Sequence, residues 1–261
     1  MSEQYQAPTV EKTFQILRLI SEGDQGARIS DLSKELKISK STVHGIASAL
    51  ERLGAVIRDP STKRYVLGVT LFELGKSAFS RIDLKDTARP IMENLMEQAH
   101  ESVFLGVRNG ENVTIIDIVE SRQDLKITAP IGTRIPLFAG AVGKVFMASI
   151  PEQEAKDLVR RMGLHRFTEN TIIDFHEFFN AVRGARQNGF AIDDEEYISG
   201  VRAVASAIKG EGQFTSAIWV VGFKPIMSGK KMADLAKETR RAAEMISRKI
   251  NEQSVTNNRV K

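Results

Sequence analysis

The sequence predicts an α+β protein built from a small N-terminal domain and a larger C-terminal domain. Apolar residues recur at helical spacing through residues 10–53, and two short β-prone runs follow around a turn that contains Pro60. Beyond residue 84, helical segments alternate with paired strand candidates, one pair joined by an Asn-Gly turn at residues 109–110. Three helices followed by a hairpin have the outline of a winged helix-turn-helix. The second pattern is typical of an α+β domain with mostly antiparallel strands.

The composition limits the classes to which the chain can belong. Its 261 residues are enough for one large domain or two ordinary ones, and 42% hydrophobic with 27% charged residues is typical of a soluble globular protein. The absence of cysteine excludes disulfides, thiolate metal sites and cysteine nucleophiles, and it agrees with the cytoplasmic location that we expect. No run reaches the roughly 20 apolar residues that span a bilayer, and the N-terminus lacks a signal-peptide layout.

The first two helices of the N-terminal domain, assigned to residues 1–68, are predicted from their apolar spacing. The first helix carries a stripe of apolar residues at Val10, Phe14, Leu17 and Ile20. The second helix has Leu32 and Leu36 four residues apart, and Ser30 is its predicted N-cap. Both helices are therefore expected to turn one face towards a shared core.

The third helix, within "ISKSTVHGIASALERLG", is polar and small on its outer side. Ser39 is its predicted N-cap and Gly54 its predicted end, while apolar residues at steps of three and four face inwards: Val43, Ile46, Leu50 and Leu53. The opposite side presents short side chains: Ser41, Thr42, His44, Gly45 and Ser48. Short side chains let a helix backbone approach base edges in the major groove, and a helix N-terminus attracts phosphate. This helix is therefore predicted to recognise DNA.

Basic residues support that prediction. Residues 28–64 hold eight lysines and arginines against four acidic residues, which is a moderate excess. Lys63 and Arg64 in the hairpin are placed like wing residues that contact the DNA backbone or the minor groove. Taken singly, His44 is also explained as an ordinary exposed histidine, and Lys63 and Arg64 as a solvated turn. The arrangement as a whole is more specific than any of its members.

Residues 69–83 are predicted to form one linker helix between the domains. Leu71, Leu74 and Ala78 make one apolar stripe, and Phe72 and Phe79 make another. A short helix that is apolar on two sides must bury both, so this helix is expected to connect the domains and to pack in a dimer. The alternative is that it is simply the first helix of the second domain.

The C-terminal domain is assigned to residues 84–253, and residues 254–261 to a flexible tail. Its elements are predicted in order as a helix over 86–101, a hairpin over 102–121, strands over 125–130 and 133–138, helices over 139–149 and 174–189, a hairpin over 201–223, and a helix over about 231–250. In the helix over 174–189, Asp174 is the predicted N-cap and Gly189 the predicted end.

These segments together resemble the isocitrate lyase regulator (IclR) family of bacterial transcription factors. The resemblance begins with "KTFQILRLI" and the third-helix stretch, and it continues through "APIGTRIPLFAGAVGK", "RFTENTI" and "GFAIDDEEYISGVRAVASAI". It covers nearly the whole chain, with the segments in the same order. It implies a GAF-like C-terminal domain that binds a small effector. It also implies a homodimer, or a tetramer of dimers, that acts as repressor or activator on a palindromic operator.

One departure from the family lies in the recognition helix. Family members often carry arginine after "STVH", where this chain has Gly45. Glycine inside a helix costs about 1 kcal/mol relative to alanine and removes a possible DNA contact. We infer that Lys40, Arg52 or the hairpin supplies affinity instead, or that operator preference differs.

The segment "GAVGK" at 140–144 invites comparison with a phosphate loop but does not fit one. Phe138 occupies the place of the first required glycine, and Val145 replaces the serine or threonine that binds magnesium. A turn into a helix N-terminus, whose free N–H groups hold a carboxylate, is the other interpretation. By the resemblance, the N–H groups of Ala141, Val142 and Gly143 face the effector.

The same resemblance places Asp193, and less firmly Glu195, at the effector site. They belong to "DDEEY", a run of carboxylates that in most proteins is a solvated loop. The chain has Ala203, Trp219 and Val221 where relatives that bind small acids have cysteine or serine. Further apolar wall comes from Leu125, Ile127 and Phe138. This lining favours an aromatic or otherwise hydrophobic carboxylate over a small polar one, unless Trp219 only fills the core.

The predicted function is therefore that of an effector-controlled DNA-binding regulator, with no catalytic residues, metal or cofactor. His100, His165 and His176 are scattered without metal-ligand spacing, and no acid–base constellation stands out. The alternatives are a GAF-like enzyme with an accessory DNA-binding module, and a DNA-binding protein whose second domain only oligomerises. Turnover of a substrate would identify the first alternative. The lack of any ligand-dependent shift in melting temperature would identify the second.

Overall fold

The computed structural model describes residues 7–23, 25–80, 84–210 and 215–258. The chain divides into two compact units, Met1–Arg81 and Ile82–Lys261. Part of the predicted linker helix (81–83) and the predicted turn of the second hairpin (211–214) lie outside the described residues. In the described part of the chain, no helix is both long and apolar enough to cross a membrane.

The first unit is a three-helix cluster with a short hairpin. Its elements are α1 (Pro8–Glu22), α2 (Ile29–Leu36), α3 (Lys40–Arg52), β1 (Val56–Arg58), β2 (Tyr65–Leu67) and α4 (Val69–Ser80). Strands β1 and β2 pair antiparallel, with Ile57 opposite Val66. Tyr65 is fully buried with Ile16, Leu32 and Val43, so the base of the hairpin is part of the helical core. This is the winged helix-turn-helix that the sequence predicted.

Some details of the first unit differ from the predictions. Helix α2 begins at Ile29, because the N–H of Arg28 donates to the Asp31 carboxylate and Ser30 already lies in the first turn. Val10 and Phe14 are more than half exposed, and the side of α1 that is buried carries Ile16 and Ile20. The C-cap of α3 is Leu53, which is 69% exposed, and Gly54 follows with a left-handed φ of +69°.

The second unit contains a six-stranded antiparallel sheet between two helical layers. Its elements are α5 (Leu84–Ala99), β3 (Ser102–Asn109), β4 (Asn112–Val119), β5 (Arg134–Pro136), α6 (Gly140–Ala148), α7 (Glu152–Met162), α8 (Phe175–Asn188), β6 (Ala191–Asp194), β7 (Val201–Ile208), β8 (Ser216–Phe223) and α9 (Gly229–Asn258). The strand order is β5-β4-β3-β8-β7-β6. Helices α6, α7 and α8 share a core with one face of the sheet, and α5 and α9 share a core with the other.

The second unit corrects several predicted boundaries. Residues 125–130 do not form a strand, and Ile127 and Ala129 pack instead against the core beneath α6. The sequence pattern had not predicted α7 or the edge strand β6, which takes in the first half of the carboxylate run. Helix α9 continues to Asn258, so the predicted tail at 254–261 begins inside a helix, and residues 259–261 lie outside the described part.

Candidate functional site

The N-terminal end of α3 presents a continuous polar surface. The Ser39 hydroxyl caps the helix by accepting from the Thr42 N–H at 3.2 Å, and it lies 2.8 Å from the Thr42 hydroxyl. Further along the helix, the Ser48 hydroxyl lies 3.4 Å from Nδ1 of His44. Most of the predicted DNA-contacting residues of this helix are exposed: Ser39, Lys40, Ser41, His44, Gly45 and Arg52. Thr42 and Ser48 are partly exposed, so α3 brings the predicted set together on one side.

Gly45 lies in the middle of that surface without being required by packing. A Cβ built at Gly45 meets no heavy atom within 4 Å, and its φ is not in the left-handed region. A larger side chain is therefore sterically acceptable there. The effect of glycine is to leave the centre of the helix surface flat.

The two wing residues have different environments. Lys63 is exposed at a left-handed turn position, with φ +58°, and its side chain is directed by no hydrogen bond in the described residues. Arg64 is partly buried, and its Nη1 donates to the Gly26 carbonyl at 2.8 Å. The prediction that Arg64 is simply a wing contact is therefore incomplete, because its guanidinium also ties the hairpin to the loop after α1.

The turn of the hairpin is built around Asp59. Its carboxylate accepts from the N–H groups of Ser61 at 2.7 Å and Thr62 at 2.8 Å, and from the Ser61 hydroxyl. These hydrogen bonds, led by the Ser61 hydroxyl, lower the pKa of Asp59 to about 2. From the other side, Nε of Arg28 donates to the Thr62 carbonyl at 3.0 Å. The turn that presents Lys63 is thus fixed on both sides.

The second unit encloses a cavity of about 210 Å³ between its sheet and the N-terminus of α6. Seven of the residues predicted for the effector site line it: Ile127, Ala141, Val142, Asp193, Ala203, Trp219 and Val221. The strand register explains the cluster, because Asp193, Ala203 and Val221 are successive cross-strand partners on β6, β7 and β8. Most of the lining is apolar.

Trp219 is both part of the core and part of the cavity wall. It is 4% exposed and stacks on Phe104, its cross-strand partner, with ring centroids 5.6 Å apart and 9° between the planes. A Cβ at Gly106 would lie 2.7 Å from Cη2 of the indole, so glycine makes room for the ring. The ring therefore belongs to the core and also lines the cavity, and its contact with an effector stays a prediction.

The first turn of α6 carries N–H groups that are free to bind a ligand. Among the residues that the structure describes, no acceptor is found for the N–H groups of Gly140, Ala141 and Val142, whereas the Gly143 N–H donates to the Ala139 carbonyl. Ala141 and Val142 line the cavity. Three free N–H groups at a helix N-terminus form a binding site for an anion.

Asp193 lies beside these N–H groups and is 7% exposed. Its Oδ1 accepts from the Glu196 N–H at 2.6 Å, and its Oδ2 packs so close to Gly140 that a Cβ there would lie 1.8 Å away. The pKa of Asp193 is raised to about 6: burial is the largest cause and the charge of Glu196 adds to it, while the N–H groups of Glu196 and Tyr197 and the charge of Lys144 act in the opposite direction. Near pH 6 this carboxyl group therefore exchanges between acceptor and donor forms.

Four predicted effector-site residues do not line the cavity. Leu125 is 68% exposed beside a different surface pocket, and Phe138 packs edge-on against Phe178. Gly143 lies against the backbone of residues 137–138, where a Cβ would come within 2.6 Å. Glu195 follows the end of β6 with φ +63°, and its carboxylate binds Lys224 and the Gly200 N–H.

The carboxylate run is not a solvated loop, because each of its four acids has a partner. Alternate residues of β6 point to opposite faces, so Asp194 pairs with Arg202 on the outer face while Asp193 points inwards. Glu195 pairs with Lys224, and Glu196, 9% exposed, pairs with Lys144 inside the domain.

The sequence had not indicated ten further residues of the cavity wall. They are Phe104, Ile115, Thr128, Ala129, Thr133, Ile135, Ala139, Tyr197, Ile198 and Val201. Alternation along β3 and β4 could have identified Phe104 and Ile115, since both face the α6 side of the sheet. The loop residues among them carried no periodic signal. Within the described ranges, no cluster of three His, Asp or Glu residues suits a metal ion.

Two family models match this chain. Residues 9–60 match the IclR helix-turn-helix domain, and residues 76–248 match the C-terminal domain of bacterial transcriptional regulator IclR. Among curated proteins, the HTH-type transcriptional repressor AllR of Klebsiella pneumoniae is 30% identical over 222 residues. That alignment covers 85% of this chain and 82% of the repressor.

Solved structures show the same fold. The Thermotoga maritima IclR structure has a TM-score of 0.69 at 28% identity and covers 93% of this chain and 98% of that one. An IclR homologue from Microbacterium hydrocarbonoxydans, solved as a complex with 4-hydroxybenzoate, has a TM-score of 0.77 at 20% identity. It covers 93% of this chain and 98% of its own.

Proposed function

This chain belongs to the IclR family of bacterial transcriptional regulators, and we propose that a hydrophobic carboxylate, of aromatic type, controls its affinity for DNA. The observation that carries the proposal is one cavity in which a stacked Trp219–Phe104 pair faces the free N–H groups of α6. Aromatic walls favour a flat apolar body, and the helix N-terminus favours an anionic group.

The cavity indicates a compact ligand. Its volume of about 210 Å³ lies below the roughly 300–1,000 Å³ typical of sites for drug-sized molecules. A single aromatic ring with a carboxylate suits that size. Thr133 and Tyr197 are further wall residues that carry hydroxyl groups, and Asp193 can accept from a ligand hydroxyl or water. The Microbacterium homologue with 4-hydroxybenzoate is a relative of the same fold with a ligand of this class.

On the DNA side, we assign the major groove to α3 and the flanking backbone or minor groove to the wing. Thr42 and His44 are proposed to read bases, and Lys63 to contact the backbone. Lys40 and Arg52 flank the flat surface at Gly45 and supply positive charge in place of an arginine there.

We further propose that the protein acts in the cytoplasm as a homodimer, or as a tetramer of dimers, on an inverted repeat. The support is an apolar surface on α4, where Val69, Phe72 and Leu74 are each more than 60% exposed in one copy of the chain. Exposed apolar residues at this density on one short helix indicate an interface. A dimer would present two copies of α3 to a palindrome.

The test begins with selection of an operator from random DNA and a melting screen of acids. The panel is benzoate, 4-hydroxybenzoate, cyclohexanecarboxylate, pyruvate and acetate. Ring acids are expected to raise the melting temperature and to change operator affinity, and to shift or quench the emission of Trp219, the only tryptophan. A Trp219→Ser variant should move preference towards pyruvate. Binding of small polar acids alone, with unchanged Trp219 emission, would contradict the proposal.

The same samples separate the alternatives. An enzyme would consume a panel acid, which chromatography detects, whereas a sensor returns it unchanged. A purely oligomerising domain would show no melting shift with any ligand while still binding the operator.

A further inference from the structure

Lys144 is a buried lysine that belongs neither to the proposed DNA-binding surface nor to the cavity wall. It lies on α6 one turn beyond the helix N-terminus and is 4% exposed. Its Nζ donates to the Ile192 carbonyl at 2.8 Å and to the carboxylate of Glu196. These two acceptors belong to residues on either side of Asp193 along the chain, so one ammonium group joins the backbone carbonyl before Asp193 to a side-chain carboxylate after it.

A buried ion pair needs such an explanation because it is a poor source of stability. Removing two charges from water costs nearly as much as their attraction returns, and apolar residues of similar volume often replace such pairs without loss. What the pair adds here is geometry, since it fixes where β6 ends and the following loop returns. The hydroxyl groups of Thr168 and Thr171 donate to the Glu196 carbonyl and hold the same loop from the other side.

The geometry of the loop determines the position of the Asp193 carboxyl group. The Glu196 N–H donates to its Oδ1 at 2.6 Å, and Gly140 leaves space for its Oδ2. The charged groups around it are Lys144 on α6 and Glu196 on the loop, and Tyr197 is the other titratable group on the cavity wall. The opposed influences of Lys144 and Glu196 on the pKa of Asp193 agree with this contact network.

We propose that Lys144 is a positioning residue of the effector site, which holds Asp193 beside the first turn of α6 by bridging Ile192 and Glu196. Its link to the effector rests on the proposed function, whereas its link to Asp193 does not. Lys144 does not line the cavity, so it acts through Asp193 rather than on the ligand.

The variant that tests the proposal is Lys144→Met with Glu196→Gln. Changing both residues avoids leaving one buried charge unpaired, which would endanger folding. The matched control is Lys224→Met with Glu195→Gln, which removes an ion pair of the same types from the same loop. Its lysine is half exposed, and neither residue lines the cavity.

The first readout needs no ligand. Denaturant unfolding followed by Trp219 emission reports the second unit, and it is measured from pH 4 to 8 with and without Asp193→Asn. In the parent and in the control, the stability that Asp193→Asn removes is expected to fall as pH rises from the unfolded pKa of 3.8 to the folded pKa of about 6, with its midpoint halfway between, at about pH 5. In the Lys144 variant the folded pKa is expected to fall towards the ordinary aspartate value of about 3.9, so the loss of stability becomes smaller and its midpoint lower. An unchanged midpoint would overturn the proposal.

The second readout is calorimetric titration with benzoate at pH 5, where Asp193 is mostly protonated and can donate to the ligand carboxylate. The Lys144 variant is expected to bind at least about tenfold more weakly than the parent, and the control to bind like the parent, because a positioning loss is a loss of affinity. Equal affinity in the Lys144 variant and the parent would also overturn the proposal. If the parent binds no acid of the panel, the proposed function fails, and the ligand-free midpoint still decides the role of Lys144.

Discussion

At the residue scale, the effector site depends on small contacts that place large groups. Gly106 on β3 leaves space for the Trp219 ring, and Gly140 on α6 leaves space for the Asp193 carboxyl group. Both glycines lie where a single Cβ would collide with a functional side chain. The chemistry of the cavity is therefore set as much by missing side chains as by those present.

Gly106→Ala is expected to push the Trp219 ring off its stack with Phe104. The new Cβ would lie 2.7 Å from a rigid ring and 3.0 Å from Val113, and overpacking of this kind costs roughly 1–3 kcal/mol. Denaturant unfolding and the emission maximum of Trp219 measure the two effects. Gly184→Ala, on α8 of the same unit with no neighbour within 4 Å and no left-handed φ, is the comparison for backbone effects alone. A Trp219 emission maximum in Gly106→Ala equal to that of the parent would show that the added methyl group does not displace the ring.

Asp193 is expected to make effector binding depend on pH. Its folded-state pKa of about 6 is above the unfolded value of 3.8, so its favourable contribution to stability is complete below about pH 4 and is lost as pH rises through 6. Above that pH its negative charge repels a ligand carboxylate at the neighbouring N–H groups. Benzoate should therefore bind more tightly at pH 5 than at pH 8, by about tenfold or less for a partly screened charge pair.

The control for this prediction is Asp193→Asn, whose side chain keeps an acceptor for the Glu196 N–H but carries no charge. Calorimetry at both pH values should give this variant nearly equal affinities for benzoate. A parent with the same dissociation constant at pH 5 and pH 8 would show that Asp193 is not coupled to the ligand.

At the element scale, the hairpin of the first unit combines a structural and a functional residue at adjacent positions. Arg64 reaches back to Gly26, while Lys63 occupies the left-handed position of a turn fixed by Asp59 and Arg28. Two basic neighbours in sequence thus have different environments, because Lys63 lies exposed in the turn whereas the Arg64 side chain reaches the loop after α1.

Lys63→Ala is expected to weaken binding to all DNA sequences alike and to lower the slope of log affinity against log salt by about one, as a single phosphate contact predicts. Arg64→Ala should in addition destabilise the first unit by roughly 1 kcal/mol through loss of its bond to the Gly26 carbonyl. Electrophoretic shifts at several salt concentrations and calorimetric melting distinguish the two. Equal melting temperatures for both variants would remove the structural role of Arg64.

Thr42→Ala and His44→Ala, in contrast, should alter preference among operator sequences rather than overall affinity, since a recognition helix reads base edges. Competition binding against single-base operator variants measures this. If both variants keep the parent's preferences, α3 does not read the bases as assigned.

At the scale of the whole molecule, effector control requires one conformational equilibrium that both the effector and DNA shift when they bind. Any effector that changes DNA affinity must have its own affinity changed by DNA by the same factor. If copies associate through the exposed apolar residues of α4, as proposed, their association is part of that equilibrium.

Phe72→Glu is therefore expected to shift the protein towards monomers and to weaken operator binding far more than binding to a half-site. Sedimentation velocity and half-site competition measure the two effects. Glu73→Gln, at an exposed neighbouring position of the same helix, is the control for charge and helix propensity. A dimer of parent stability in Phe72→Glu would show that another surface holds the copies together.

The sequence by itself determined the family, the winged helix-turn-helix and most elements of the second domain, apart from α7, β6 and the strand wrongly predicted over 125–130. The correct predictions depend on local signals: the structure confirms the Ser39 and Asp174 caps, and it confirms the first hairpin of the second domain, whose two turn residues are Gly110 and Glu111. Seven of the cavity residues were also predicted, because the resemblance carries their positions along the chain.

Only the tertiary structure decided how the cavity is closed and what charge it holds. Leu125 and Glu195 are near the cavity residues in sequence but lie off the wall, and Phe104 and Ile115 lie on it from distant segments. Lys144 and Glu196, 52 residues apart, are paired only because α6 packs against the loop after β6. Burial and long-range pairing set the pKa of Asp193 and the contacts of Lys144, and neither is encoded in local periodicity.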